Sequence, residues 1–181
     1  MDSFSWHLRA TRDIKKDEEI TTGYIGDEES PAALRQKMLA PRGFKCTCES
    51  CQDAQLHDPH RLRCAAVYKR FHMNGGWQNF KNLDLPSSGD VKSLIADLLA
   101  YLQEGLEAAE GYGYTVFNLM KAFAARGDVK NTVDYARKYG QWRRAYGAVI
   151  DDAVMDSAFG LKSVAQMVER ERRTKVTSQR S

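Results

Sequence analysis

"DVKSLIADLLAYLQEGLEAAEG" spans residues 90–111, and its reading decides the fold. Val91, Leu94, Ile95, Leu98, Leu99, Leu102 and Leu106 recur every three or four positions. That period puts them on one stripe of an α-helix, to be buried against a neighbour. Asp90 is an N-cap residue, and Gly111 is the expected stop. Downstream, the pattern predicts helices over about 115–125 and 129–145, joined by "RGD" at 126–128. Gly127 is placed to end the first and Asp128 to cap the second. "AVMDSAFGLKSVAQMVERER", residues 153–172, reads as a last helix interrupted at Gly160.

Upstream, residues 74–90 hold Gly, Asn, Pro and Ser and read as a connector. Before it, Asp58 and Pro59 open a helix running to about Met73, with Cys64, Val67, Tyr68 and Phe71 on its apolar face. Antiparallel helices with short turns resemble the packing of tetratricopeptide repeats, although no clean 34-residue period is present.

The first fifty or so residues differ in character. "FSWHLR" (4–9) and "EITTGYI" (19–25) are rich in aromatic and β-branched types and predict strands. Ser30 and Pro31 are placed to start a short helix over 31 to about 40, which "PRGF" (41–44) stops. "GFKCTCESC" (43–51) follows, with three of the chain's four cysteines.

Composition narrows the function classes. With 43% hydrophobic and 28% charged residues in 181, the chain has the balance of a globular protein. It has no apolar run of membrane-spanning length and no secretory leader pattern, which predicts an intracellular protein, nuclear or cytoplasmic, with reduced cysteines. The net charge of +3 resides in the tail, where residues 169–181 carry five basic and two acidic side chains and the rest is balanced. A charge confined to a helix end is no nucleic-acid footprint, so direct nucleic-acid binding is not expected.

Cys46, Cys48 and Cys51 form C-x-C-x-x-C, a spacing that aims three thiolates at one centre and points to zinc. A closed structural zinc site has four ligands. Within the chain the candidates for the fourth are His57, His60 and Cys64.

The run "LRATRDIKKDEEITTGYI" followed by "LRQKMLAPRGFKCTCESC" resembles the C-terminal end of a SET domain with its post-SET cysteines, and is most similar to the SET and MYND-domain branch. The likeness covers residues 6–51; the helical part matches that branch only in kind. It implies a protein lysine methyltransferase that uses S-adenosylmethionine. By this resemblance Tyr24 is the catalytic tyrosine. Phe44, twenty residues on, is the aromatic that packs against the cofactor, and Cys46, Cys48 and Cys51 are the three post-SET zinc ligands. Asp17 stands where the family's turn has glycine, and Arg42 where it often has an aromatic.

The resemblance also implies an incomplete site. The family's fourth ligand comes from an upstream Asn-His-Ser-Cys motif, and its cofactor strand also lies upstream. Neither has a counterpart in these 181 residues. The expectation is therefore a truncated copy, inactive alone. Its fold class is α+β, mostly α: a small β-rich SET remnant with post-SET cysteines (1–58), then a tetratricopeptide-like helical domain (59–181). The partner expected is a protein substrate or, if the helical region acts as a non-catalytic interaction module, a peptide.

Overall fold

The computed structural model describes residues 10, 13–19, 25–73 and 90–145. Its helices are α1 (Ala32–Leu39), the single turn α2 (Glu49–Gln52), α3 (Ala54–Met73), α4 (Asp90–Gln103), α5 (Glu110–Ala125) and α6 (Val129–Ala145), with a 3-10 turn at Ala40–Arg42.

The α+β expectation is corrected: among the described residues there is no strand, and the fold is helical. Most of the two predicted strands (4–9 and 19–25) lies outside the described residues. What is described of the first 58 residues is turns, α1, the 3-10 turn, the cysteine loop and the start of α3. Aromatic and β-branched residues form a strand only against a neighbour that pairs their backbone and packs their side chains, and no described segment supplies that neighbour.

The helical reading holds over the described residues 59–73 and 90–145, with changed boundaries, while the last helix (153–172) and most of the connector (74–90) lie outside them. α4 buries Val91, Leu98, Ala100 and Tyr101, with Leu94 and Ile95 packed at the margin. Leu99 and Leu102 are 57% and 42% exposed. Seven apolar residues cover more of a helix circumference than one packed face can, and successive residues diverge by about 100°. α4 ends at Gln103, not at Gly111. Gly105 takes a left-handed φ of 65°. The Leu106 N–H then donates to the Tyr101 carbonyl at 2.9 Å, and the Gly105 N–H to that of Leu102 at 3.3 Å. This is a Schellman cap, and it returns Leu106 to the core. Gly111 instead lies in the first turn of α5, where a Cβ would sit 1.8 Å from the Tyr101 hydroxyl. That hydroxyl donates to the Cys64 carbonyl on α3 at 3.0 Å.

α5 packs on α3, α4 and α6 and carries the centre of the core with Tyr112, Val116 and Leu119. It ends in a second Schellman cap at Gly127, φ 72°. α6 folds back along it: Phe123 stacks on Tyr135 at 5.4 Å, Phe117 meets Tyr139 at 5.1 Å, and Gly113 faces the Trp142 ring. The residue number rises on one helix as it falls on the other, so the pair is antiparallel. α3 and α4 are antiparallel by the same test, since Arg70 bonds Asp97, Cys64 meets Tyr101 and Arg61 meets Glu104.

Two local tests follow from this geometry. A Cβ on Gly113 would lie 2.6 Å from three atoms of the rigid, buried Trp142 ring. Gly113→Ala is therefore expected to cost about 1–3 kcal/mol in urea unfolding. Gly26→Ala, where nothing lies within 4 Å, should stay within about 0.5 kcal/mol of wild type. At the start of α6, Asp128 accepts from the Asn131 N–H at 3.1 Å and from the Asn131 side-chain amide at 2.7 Å. These bonds, the side-chain one first, hold its carboxyl below the usual range. The folded pKa is depressed, so the cap is fully formed above the ordinary carboxylate pKa and is lost as pH falls through the lower folded value. Asp128→Ala should cost about 1 kcal/mol at neutral pH, and less in acid.

α3 starts at Ala54, five residues before the expected Pro59, and runs through that proline. Asp53 accepts from the Leu56 N–H at 3.2 Å and serves the first turn. Asp58, expected to open α3, does something else. Its Oδ1 accepts from the Ala32 N–H at 2.7 Å, capping α1 from 26 residues away. Ser30, the expected cap, is buried and makes no side-chain cap bond. The early start gives α3 a buried face of His57, Arg61, Cys64, Val67 and Phe71.

Candidate metal centre

The cysteine loop hangs between α1 and α3. The 3-10 turn ends at Gly43, whose φ of 79° turns the chain sharply after α1. Gln36 on α1 then holds the returning strand of backbone. Its amide nitrogen donates to the Cys46 carbonyl at 2.7 Å, and its amide oxygen accepts from the Cys46 N–H at 3.1 Å. Past it, the Cys48 carbonyl accepts from the Cys51 N–H at 2.9 Å and the Gln52 N–H at 3.0 Å. That turn folds Cys51 back beside Cys48.

The sulfurs of Cys46, Cys48 and Cys51 converge, all within 4.8 Å of one another. A tetrahedral zinc with sulfur at about 2.3 Å places its ligands roughly 3.8 Å apart, so the three thiols fit such an ion with small inward shifts. All three are free cysteines, and Cys48 is exposed. Burial works to raise the Cys48 thiol, but hydrogen bonds from Cys46 and Cys51 and the nearby Arg35 charge outweigh it and hold it below its usual value. Cys51 is pushed up to about 12, by burial first and then by Cys48. Cys48 is thus the readier of these two thiols to ionise, and a bound cation would draw protons from the ligands it takes.

The other candidate ligands go elsewhere. Cys64 is fully buried in the helical core beside Val67 and Phe71 and stands outside the three-cysteine group. Burial pushes its thiol up to about 12. His57 and His60 are likewise outside that group. His57 is buried on α3 and donates from Nδ1 to Glu104 at 2.8 Å.

Of the residues expected to meet a cofactor, Phe44 directly follows the Gly43 turn and is 42% exposed. Tyr24 lies outside the described residues. Asp17 takes a left-handed backbone angle, with φ 63°.

Sequence reading missed the residues that seat the loop. Arg35 is buried; its Nη2 donates to the Ser50 carbonyl at 3.1 Å and its Nη1 reaches the Cys48 sulfur at 3.9 Å. The Ser50 hydroxyl donates to Glu104 at 3.1 Å and accepts from Arg61 at 3.2 Å. Arg61 also donates to Glu104 from Nε at 2.8 Å and to the Glu28 carbonyl. A local signal existed: His57, Arg61 and Cys64 share a helical face, so two polar residues continue an apolar stripe.

A stretch of 42 residues in this chain is 52% identical to the histone-lysine N-methyltransferase ATXR2 of Arabidopsis thaliana. It makes up 23% of this chain and 9% of that protein, so the overlap is under a tenth of the relative's length. No family model and no solved structure matches the chain. The relation to a methyltransferase is partial, and the three-cysteine cluster is compatible with a post-SET arrangement. Among the described residues no helix is long and apolar enough to cross a membrane.

Proposed function

We propose that this chain carries the post-SET-type zinc module and adjoining helical region of an S-adenosylmethionine-dependent protein lysine methyltransferase, in the nucleus or cytoplasm. The observation that carries this reading is the 52% identity over 42 residues to a histone-lysine N-methyltransferase. Three thiols within 4.8 Å supply the chemistry that the post-SET reading needs. Cys46, Cys48 and Cys51 would hold the zinc, whose charge would fix the loop bearing Phe44. The boundary at 58/59 is then one of role only, because α3 runs unbroken across it.

In methyl transfer a neutral lysine amine displaces the sulfonium, forming an N–C bond as the S–C bond breaks, and the amine then loses a proton. S-adenosylmethionine supplies the methyl group when bound; the protein's part is alignment and charge placement. On this reading the Tyr24 hydroxyl would orient the amine and Phe44 would pack against the cofactor. One hydroxyl and one half-exposed aromatic do not hold two reactants in line, so residues 1–181 alone are expected to be inactive.

The test is calorimetry with S-adenosylmethionine, and methyl transfer from labelled cofactor to histones and a mixed protein lysate. The 181-residue chain should show neither binding nor transfer. A longer protein that adds a cofactor-binding half should show both, and Tyr24→Phe in it should lower turnover about 10²-fold with little change in cofactor affinity. Micromolar cofactor binding by the 181 residues would refute the inactivity. An inactive longer protein would refute the methyltransferase reading.

A further inference from the structure

No residue of the cysteine loop belongs to the apolar core clusters of the described residues. The loop is joined to the helices through a chain of polar contacts that starts at a sulfur and ends at a fully buried carboxylate. Arg35 is 6% exposed, and no carboxylate pairs with it among the described residues. Its Nη1 lies 3.9 Å from the Cys48 sulfur, and its charge also acts on Cys51. Its Nε and the Nε2 of His57 are buried without a hydrogen-bond partner. A buried guanidinium without a counter-charge is costly, as is each orphaned polar atom. A dication held by three thiolates carries one net negative charge, which is the counter-charge Arg35 lacks.

The same Arg35 holds the Ser50 carbonyl, and Ser50 Oγ bonds both Arg61 and Glu104. The Glu104 side chain has 0% exposure and sits in the Schellman turn after α4, where it also receives His57 and Arg61 from α3. A change at the sulfurs is therefore passed by Arg35 and Ser50 to the residue that clamps α3 against the end of α4.

The geometry points to Ser50 and Glu104 as positioning residues through which metal binding at Cys46, Cys48 and Cys51 and the stability of the helical unit are coupled. This rests on the metal reading given above. Coupling of this kind is reciprocal: whatever the helices gain from metal, the metal site gains from the helices. Neither residue touches the ion. Each acts by fixing the loop that presents the sulfurs, as outer partners of metal ligands commonly do.

The experiment uses the full chain and zinc alone. Zinc affinity is read by competition with a chromophoric chelator, and the helical melt is followed by circular dichroism with and without zinc. Glu104→Gln keeps the shape and removes the charge; Ser50→Ala removes the bridging hydroxyl and leaves the buried charges in place. Tyr101→Phe deletes a core hydrogen bond between α3 and α4 that involves no residue of the loop, and serves as the control for simple destabilisation. Cys48→Ser is the control for the site itself. At a temperature where helicity is full in each variant, Glu104→Gln and Ser50→Ala should each weaken zinc about tenfold. Tyr101→Phe should leave it unchanged, and zinc should raise the wild-type melting temperature more than that of either network variant. If Glu104→Gln does not fold, Ser50→Ala decides the matter.

Unchanged zinc affinity in the folded network variants overturns the coupling and leaves the metal reading standing. Wild type that binds zinc no better than Cys48→Ser overturns the metal reading, and the coupling with it.

Discussion

Glu104→Ala is expected to destabilise the chain by about 3–5 kcal/mol. The carboxylate is fully buried and accepts from His57 Nδ1 and Arg61 Nε, each at 2.8 Å, and from Ser50 Oγ at 3.1 Å. Truncation leaves Arg61, itself buried, without the carboxylate it is bonded to, and the Glu28 carboxylate is the charge that remains near it. The loss is therefore the desolvation of a cation deprived of its bonded partner and not the strength of one pair. Asp97 makes a fair comparison. It too is buried and bonds two arginines, Arg63 at 2.6 Å and Arg70 at 2.8 Å. Those arginine side chains are 40% and 55% exposed, so water can solvate them when the carboxylate goes. Asp97→Ala should then cost clearly less, about 1–3 kcal/mol. Denaturant unfolding of the two variants checks the order. Equal losses would show that the buried cation is not what sets the size of the effect.

The contrast between the two clusters also marks how far the sequence could be read. Apolar period placed α4, α5 and α6, and turn chemistry placed Gly127 and Asp128, because those signals lie within a few residues of each other. Gly111 was misread as a stop because its reason is distant: the Tyr101 hydroxyl, ten residues back, needs the space a Cβ would fill. Asp58 was misread for the same cause, its partner being the N–H of Ala32. The three cysteines were legible as a metal cluster from spacing alone. Arg35, Ser50 and Glu104 were not, since charged and hydroxyl residues in sequence look like solvated surface until a fold brings them together. The β-rich expectation finds no support among the described residues, which are helical, and most of the two predicted strands lies outside them.

The second large effect is on metal, and it separates two cysteines that look alike in composition. Cys48→Ser is expected to weaken zinc by about 10²–10³-fold, since it removes one of three thiolates from a site whose binding energy comes from metal–sulfur bonds. Folding measured without zinc should be little affected, because Cys48 is exposed and its serine replacement meets water. Cys64→Ser makes the same one-atom change in the core, where the side chain is fully buried beside Val67 and Phe71. A hydroxyl placed there without a partner should cost about 1–3 kcal/mol of stability. Zinc affinity should stay at the wild-type value, because Cys64 is outside the group of converging sulfurs. Two assays on two variants thus give a crossed result: metal lost with fold kept, and fold weakened with metal kept. Chelator competition and urea unfolding read the two axes independently. Zinc loss in Cys64→Ser at full helicity would make Cys64 a ligand and overturn the three-cysteine assignment. Retention of zinc in Cys48→Ser would show that the sulfurs converge without binding.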